Sequence, residues 1–252
     1  MKRQMMRPIT AFALMLASSS VALAADPTGP EVLKKVDENL NAFNTGKWDS
    51  KLLVYQKDGR AREFGFTTFQ KAPDKRLVRF TSPGDVKGMG VLIENKETMY
   101  VYLPGFNKIR RMGTHIRNQT FMGSEFGFDD MSQLSFADTY EAKLAGQDDK
   151  SWILELSVKP KIETDTPKVK MWVDKTNFVP TKMEYYDAGG TKMKTQLRED
   201  YKKDSPKHWQ PMKITVINDR NGHKSEIQFL TSEIDGAIGD DVFTQRSLLR
   251  GN

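Results

Sequence analysis

The sequence predicts a mainly β fold, an antiparallel sheet curved into a sandwich or barrel with one amphipathic helix at its start. Three observations carry this. Beyond residue 46 the apolar residues recur at a period of two, the spacing of a half-buried strand. The runs are short and separated by turn chemistry, among it Lys57-Asp58-Gly59-Arg60, Gln147-Asp148-Asp149-Lys150, Ala188-Gly189-Gly190 and Asp219-Arg220-Asn221-Gly222. There is neither a strand–helix alternation nor a repeat of fixed period, which excludes a parallel α/β sheet and a solenoid.

The chain opens MKRQMMRPIT, with Lys2, Arg3 and Arg7 ahead of a short apolar stretch over 9–17 and small residues at Ala22 and Ala24. This three-part layout predicts a secretory signal peptide over 1–24, too short in its apolar part to span a bilayer. The expected location is the periplasm of a bacterium. One domain is expected over 25–252, long enough for one sizeable core. The chain has no Cys, so neither disulfides nor Cys-linked acylation can hold it. The formal charge of +6 falls to +3 once Lys2, Arg3 and Arg7 are removed. That balance and the compartment argue against a nucleic-acid partner, while transient contact with an anionic membrane surface fits both.

Residues 25–30 read as a linker. Pro30 suits a first helical turn, and Val32, Leu33, Val36, Leu40 and Phe43 fall near helical spacing, which predicts a helix over 30–43. Asn44-Thr45-Gly46 is expected to end it. Strands are then expected over 48–56, 61–70, 76–83, 90–94, 98–103, 108–112, 139–145, 151–158, 169–174, 180–187, 191–201, 212–219 and 224–234. In the second and third of these, Phe64, Phe66 and Thr68 share one face, as do Val78 and Phe80. Residues 113–137 break the rhythm. They are rich in Gly, Phe and Met and hold a short helix candidate over 129–134; such an insertion in a compact β domain is a place to look for function. The tail predicts a last helical turn packing Val242 and Phe243.

Chemistry is sparse. No Ser lies in a nucleophile-elbow frame. His115, His208 and His223 are each alone in their segments, without ligand spacing, and read as surface or loop imidazoles. Glu125, Asp129 and Asp130 cluster in the insertion, but not at the spacing of a Ca²⁺ loop, and Asp129 or Asp130 reads as a helix N-cap. No cofactor, metal or catalytic residue is expected. Arg110-Arg111 reads as the wet face of a half-buried strand. What stands out is apolar and soft: 13 Met and 14 Phe, with Met89, Met99, Met112, Met122, Met131, Met171, Met183, Met193 and Met212 spread over the β region. Flexible Met side chains suit both an ordinary core and a wall that repacks around apolar ligands.

The stretch 88–131, GMGVLIENKETMYVYLPGFNKIRRMGTHIRNQTFMGSEFGFDDM, resembles the outer-membrane lipoprotein-sorting proteins of the LolA-like group. Tyr102-Leu103-Pro104 at a strand end, the basic strand Lys108-Ile109-Arg110-Arg111, and the segment from Phe121 to Phe126 followed by Asp129-Asp130-Met131 carry the likeness. The opening helix and Trp172-Val173-Asp174 with Pro180 extend it over most of the chain. The resemblance implies a half-open antiparallel β-barrel whose apolar concave face is covered by helices, and a non-enzymatic carrier of lipoprotein acyl chains or other lipids. More distant members accompany transporters of the resistance–nodulation–division type, so an inner-membrane exporter is a further expected partner. The alternative is an adaptor of such an exporter that docks through 113–137 and binds no lipid.

The inward positions expected to line a lipid cleft are Phe64, Phe66, Val78, Phe80, Met99, Val101, Leu154, Leu156, Met171 and Met183. Phe121, Met122, Phe126 and Phe128 are candidate lid or mouth residues. A slip of one residue in strand parity would turn a whole face outward.

Overall fold

The computed structural model describes residues 26–72, 74–95, 97–113, 119–132 and 135–250. The expected signal peptide and His115 lie outside these residues, as does the side chain of Asp129.

Helix α1 spans Gly29–Leu40. Thr28 and Glu31 form a reciprocal cap, the Thr28 N–H donating to Glu31 Oε2 at 2.7 Å and the Glu31 N–H to Thr28 Oγ1 at 3.4 Å. Val32, Leu33 and Val36 are its buried stripe. The helix stops three residues short of the expected end. The Asp37 carbonyl accepts both the Asn41 backbone N–H at 3.1 Å and Asn41 Nδ2 at 3.0 Å, so Asn41 caps the last turn with its own side chain. Phe43 is still buried but is reached by non-helical chain, and Thr45 and Gly46 already belong to the first strand.

Strands β1 (Thr45–Tyr55), β2 (Ala61–Lys71), β3 (Lys75–Ser82), β4 (Gly90–Asn95), β5 (Thr98–Leu103) and β6 (Lys108–Arg111) form an antiparallel meander. A second meander holds β7 (Tyr140–Gln147), β8 (Ser151–Val158), β9 (Lys168–Asp174), β10 (Pro180–Tyr186) and β11 (Lys192–Glu199). The two-residue strands β12 (Lys202–Lys203) and β13 (Trp209–Gln210) pair only with each other. β14 (Lys213–Asn218) then pairs with β11, and β15 (Lys224–Phe229) closes onto β1, while the short β16 (Glu233–Ile234) caps the start of β1. The result is one 14-stranded antiparallel sheet that does not close. Its free edges are β6 and β7, which are consecutive in the chain. The β6 edge exposes Lys108, Arg110 and Arg111, charges that discourage edge-to-edge pairing.

Alternation sorts the strands cleanly. Phe64 and Phe66 on β2, Val78 and Phe80 on β3, Val91 and Ile93 on β4, and Met99 and Val101 on β5 form one buried cluster on the inner face. Leu154, Leu156, Val169, Met171, Val173, Met183 and Tyr185 form a second, against Val32, Leu33 and Val36 of α1. The intervening positions Leu77, Leu92 and Tyr102 face outward under Phe243 and Leu248 of the tail, where a 3-10 turn over Asp240–Phe243 is followed by a short helix (Gln245–Arg250). β3 is therefore buried on both faces from Leu77 to Phe80.

The described residues between β6 and β7 lie over the concave side of the sheet. They contain the short helices α2 (Phe128–Ser132) and α3 (Phe136–Thr139), so the tail helix is α4. α2 overlaps the helix expected over 129–134 but begins one residue earlier, and Asp130 is its third residue rather than its cap: Oδ2 accepts the Gly127 N–H at 2.7 Å.

Candidate functional site

The covering segment is tied down at successive points. The Phe121 ring lies 5.0 Å from that of Phe80 on β3 and 5.4 Å from Phe128. Glu125 receives the Asn218 amide at 3.0 Å and sits 2.6 Å from His223 Nδ1, while its backbone N–H donates to Ser225 Oγ. Both carboxylate oxygens of Asp130 accept from Lys194 Nζ on β11 at 2.8 Å. The Met131 carbonyl accepts from Arg76 on β3. The start of α3 is held by Asp37 of α1, which accepts the N–H groups of Phe136 and Ala137 and the Ser135 hydroxyl, each at 2.8 Å. Burial pushes the Asp37 carboxyl above its ordinary range despite these bonds.

Between this segment and the sheet lies a cavity of about 200 Å³. Phe126, Asp130, Met131 and Phe136 form its roof. Trp48 and Leu52 of β1, Phe66, Thr68 and Gln70 of β2, and Arg76, Val78 and Phe80 of β3 form one wall. Gln196 and Arg198 of β11, Ile214 of β14, and Ile227 and Phe229 of β15 form the other, and Leu40, Phe43, His208, Gln210 and Pro211 close one end. Register explains how distant residues meet. Leu52 pairs with Ile227, Ile227 with Ile214 and Ile214 with Arg198, one row across four strands.

Of the ten inward residues expected to meet lipid, Phe66, Val78 and Phe80 line this cavity. Phe64, Met99 and Val101 lie deeper in the same cluster, and Leu154, Leu156, Met171 and Met183 lie in the second cluster beneath α1. Among the lid candidates, Phe126 lines the cavity, Phe121 and Phe128 are buried against the inner face, and Met122 is half-buried beside them with a φ of 54°.

Sequence reasoning missed the polar part of the lining. Gln70 and Arg76 sit opposite each other on β2 and β3, in step with Phe66 and Val78, and polar residues at inward parity were the signal. Arg76 donates through Nε (3.1 Å) and Nη2 (2.7 Å) to Gln70 Oε1. Burial and then the charge of Arg198 bring its guanidinium down to about 10, so it stays cationic at neutral pH. Arg198 donates through Nε to Gln196 Oε1 at 3.1 Å.

His208 corrects the reading of it as a surface imidazole. It is only 3 % exposed, its Nδ1 is 2.6 Å from Asp204 Oδ1, and its ring meets Phe43 edge-on at 5.1 Å. The Asp204–His208 pair turns the β12–β13 hairpin onto the cavity, which a lone His in a turn-rich segment did not announce. Burial raises the Asp204 carboxyl, but hydrogen bonds from His208 and Ser232 outweigh it and leave the group below its ordinary range. Among the described residues no three His, Asp or Glu side chains are placed to hold a metal, and no helix is long and apolar enough to cross a membrane.

Known structures share this architecture. A domain from Vibrio parahaemolyticus described as an outer membrane lipoprotein-sorting protein superposes with a TM-score of 0.77 at 22% identity, over 88% of this chain and 98% of its own. A DUF1329 family protein from Desulfovibrio piger gives 0.80 at 22% identity, over 86% and 96%. A LolA superfamily protein from Nitrosomonas europaea gives 0.74 at 20% identity, over 88% and 100%. No curated protein sequence matches the chain. Residues 72–250 match the model of a family described as "Uncharacterized protein". The chain therefore belongs to that family, and its fold is the open LolA-like sheet of the lipoprotein-sorting structures.

Proposed function

We propose that this protein is a periplasmic carrier that holds the acyl chains of a lipoprotein or another lipid in the cleft between the sheet and the covering segment. The observation that carries the reading is the cavity walled by Leu52, Phe66, Val78, Phe80, Ile214 and Ile227 and roofed by Phe126, Asp130, Met131 and Phe136. Such a site needs no reaction chemistry, since each buried methylene contributes about 0.8 kcal/mol. The fold shared with a domain described as lipoprotein-sorting and the signal-like opening of the sequence support the same reading.

The volume adds a mechanical requirement. About 200 Å³ is less than the roughly 300–1,000 Å³ of pockets that enclose drug-sized ligands, so a long chain enters only when the roof lifts. Among the described residues the roof is held by separable contacts, including the Phe80–Phe121 ring contact, the Glu125–His223 and Asp130–Lys194 pairs, the Met131 carbonyl bond and the Asp37 bonds at the start of α3, rather than by strand pairing to either edge. The turn between β5 and β6 presents Phe106, 70% exposed, beside the basic β6, which suits transient contact with an anionic membrane during loading or delivery.

The exporter-adaptor alternative calls for an exposed Phe/Met face on the covering segment. Phe121, Phe126 and Phe128 are instead buried, which favours the carrier. Native purification followed by lipid extraction and mass spectrometry tests the proposal. Stoichiometric acyl lipid is the expected result. A lipid-free protein that also fails to take up added lipid contradicts it.

A further inference from the structure

A cleft meant only for hydrocarbon has no use for cationic side chains in its wall, yet this one holds two. Arg76 on β3 and Arg198 on β11 both line the cavity, on opposite walls of the same inner face. Among the described residues neither guanidinium has a carboxylate partner. Their partners are neutral: the amides Gln70 and Gln196, one backbone carbonyl, the Tyr201 hydroxyl beside Arg198, and the Phe136 ring, whose centroid lies 6.0 Å from the Arg198 guanidinium. The carboxylate in the roof, Asp130, is already matched by Lys194 at 2.8 Å through both oxygens. His208 at the end of the cavity is matched by Asp204.

Hydrogen-bond donors are in surplus as well. Each guanidinium carries five N–H groups, of which Arg76 places three on Gln70 and Met131. Trp48, also in the wall and 4 % exposed, has an indole N–H that finds no acceptor among the described residues. Uncompensated positive charge and spare donors in a partly desolvated site are costly unless something anionic completes them. On the same walls Phe66, Val78, Phe80, Ile214 and Ile227 continue as apolar surface.

Resting on the carrier reading, we propose that the cleft selects amphiphiles with an anionic headgroup. The carboxylate or phosphate lies against Arg76 and Arg198, and the chain runs over the Phe66–Phe80 and Ile214–Ile227 surface. A bare hydrocarbon end would leave the arginines without an anionic partner, so head and tail are expected to enter in one orientation.

Equilibrium binding of four ligands with the same C18:1 chain tests this: oleate, oleoyl lysophosphatidate, oleyl alcohol and methyl oleate, each below its aggregation threshold at pH 8. The expected result is that at least one anionic ligand binds about tenfold or more tightly than the alcohol and the ester, the gain of one charge-assisted contact. The order of oleate and lysophosphatidate then identifies the head as carboxylate or phosphate. In Arg198→Gln the advantage shrinks toward unity while affinity for oleyl alcohol is kept. Arg198→Gln spares the Arg76 bond to the roof and serves if Arg76→Gln fails to fold. Equal binding of charged and neutral ligands, or an advantage untouched in Arg198→Gln, overturns the headgroup proposal and leaves the carrier reading standing. Failure of all four to bind overturns both.

Discussion

The rings of Phe80 and Phe121 lie 5.0 Å apart at an interplanar angle of 32°, joining the centre of β3 to the segment that covers the concave side of the sheet. Phe121 is 2 % exposed and also meets Phe128. Phe121→Ala is expected to lower stability by about 3–5 kcal/mol, the range for a buried Phe truncated to Ala. Limited proteolysis within 113–137 should accelerate in parallel. A loss below about 1 kcal/mol, measured by urea unfolding, would mean that the segment is anchored elsewhere.

Gly29 begins α1 at a point where the helix touches β7. A Cβ there would lie 2.6 Å from the Leu144 backbone nitrogen and 2.7 Å from the Lys143 carbonyl carbon, neither of which can turn aside. Gly29→Ala is expected to cost about 1–3 kcal/mol by overpacking, despite the better helix propensity of Ala. Thermal unfolding checks it, and a variant as stable as the parent would contradict the tight approach.

Asp37 predicts a pH signature for the α1–α3 junction. Its carboxyl is raised above 3.8 by burial, so the folded state holds this proton at pH values where the unfolded chain has lost it. Its contribution to stability therefore grows as pH falls from neutral through the raised value toward 3.8. In Asp37→Asn that dependence is absent, so the parent should gain on the variant between pH 7 and pH 4 in urea midpoints. A constant difference would contradict the assignment.

Asp204 behaves oppositely. Its folded value is depressed, so its stabilisation is complete above about pH 4 and is lost as pH falls through the lower, folded value. Asp204→Asn should cost about 1–3 kcal/mol at neutral pH, with the difference closing below pH 4. The same variant releases the His208 hairpin from one end of the cavity, and weaker acyl-chain binding is expected with it.

Much of the sheet was legible because one rule, alternation, acts locally. Phe64 and Phe66, Met99 and Val101, and Leu154 and Leu156 each fall on the inner face as their spacing implies. The same rule cannot distinguish an inward residue beside a void from one beside another side chain. That depends on sheet order, and β15 joins β1 across a separation that no local pattern encodes. Leu154 and Met183 are covered by α1, whereas Ile214 and Ile227 meet the cavity because β14 and β15 lie at the centre of the sheet. Arg76 illustrates the remainder. A charged side chain ordinarily faces water, yet parity with Val78 and Phe80 puts Arg76 inside, where Gln70 and a carbonyl receive it.

The central claim is that the cleft binds acyl chains, and titration of the purified protein with a fluorescent long-chain fatty acid tests it most directly. Ile227→Trp, which fills the cavity from β15, serves as the control, with folding checked by thermal unfolding. The expected result is saturable binding at one site in the parent and its loss in a folded Ile227→Trp. Absence of saturable binding in the parent, or binding unchanged when the cavity is filled, would contradict the account.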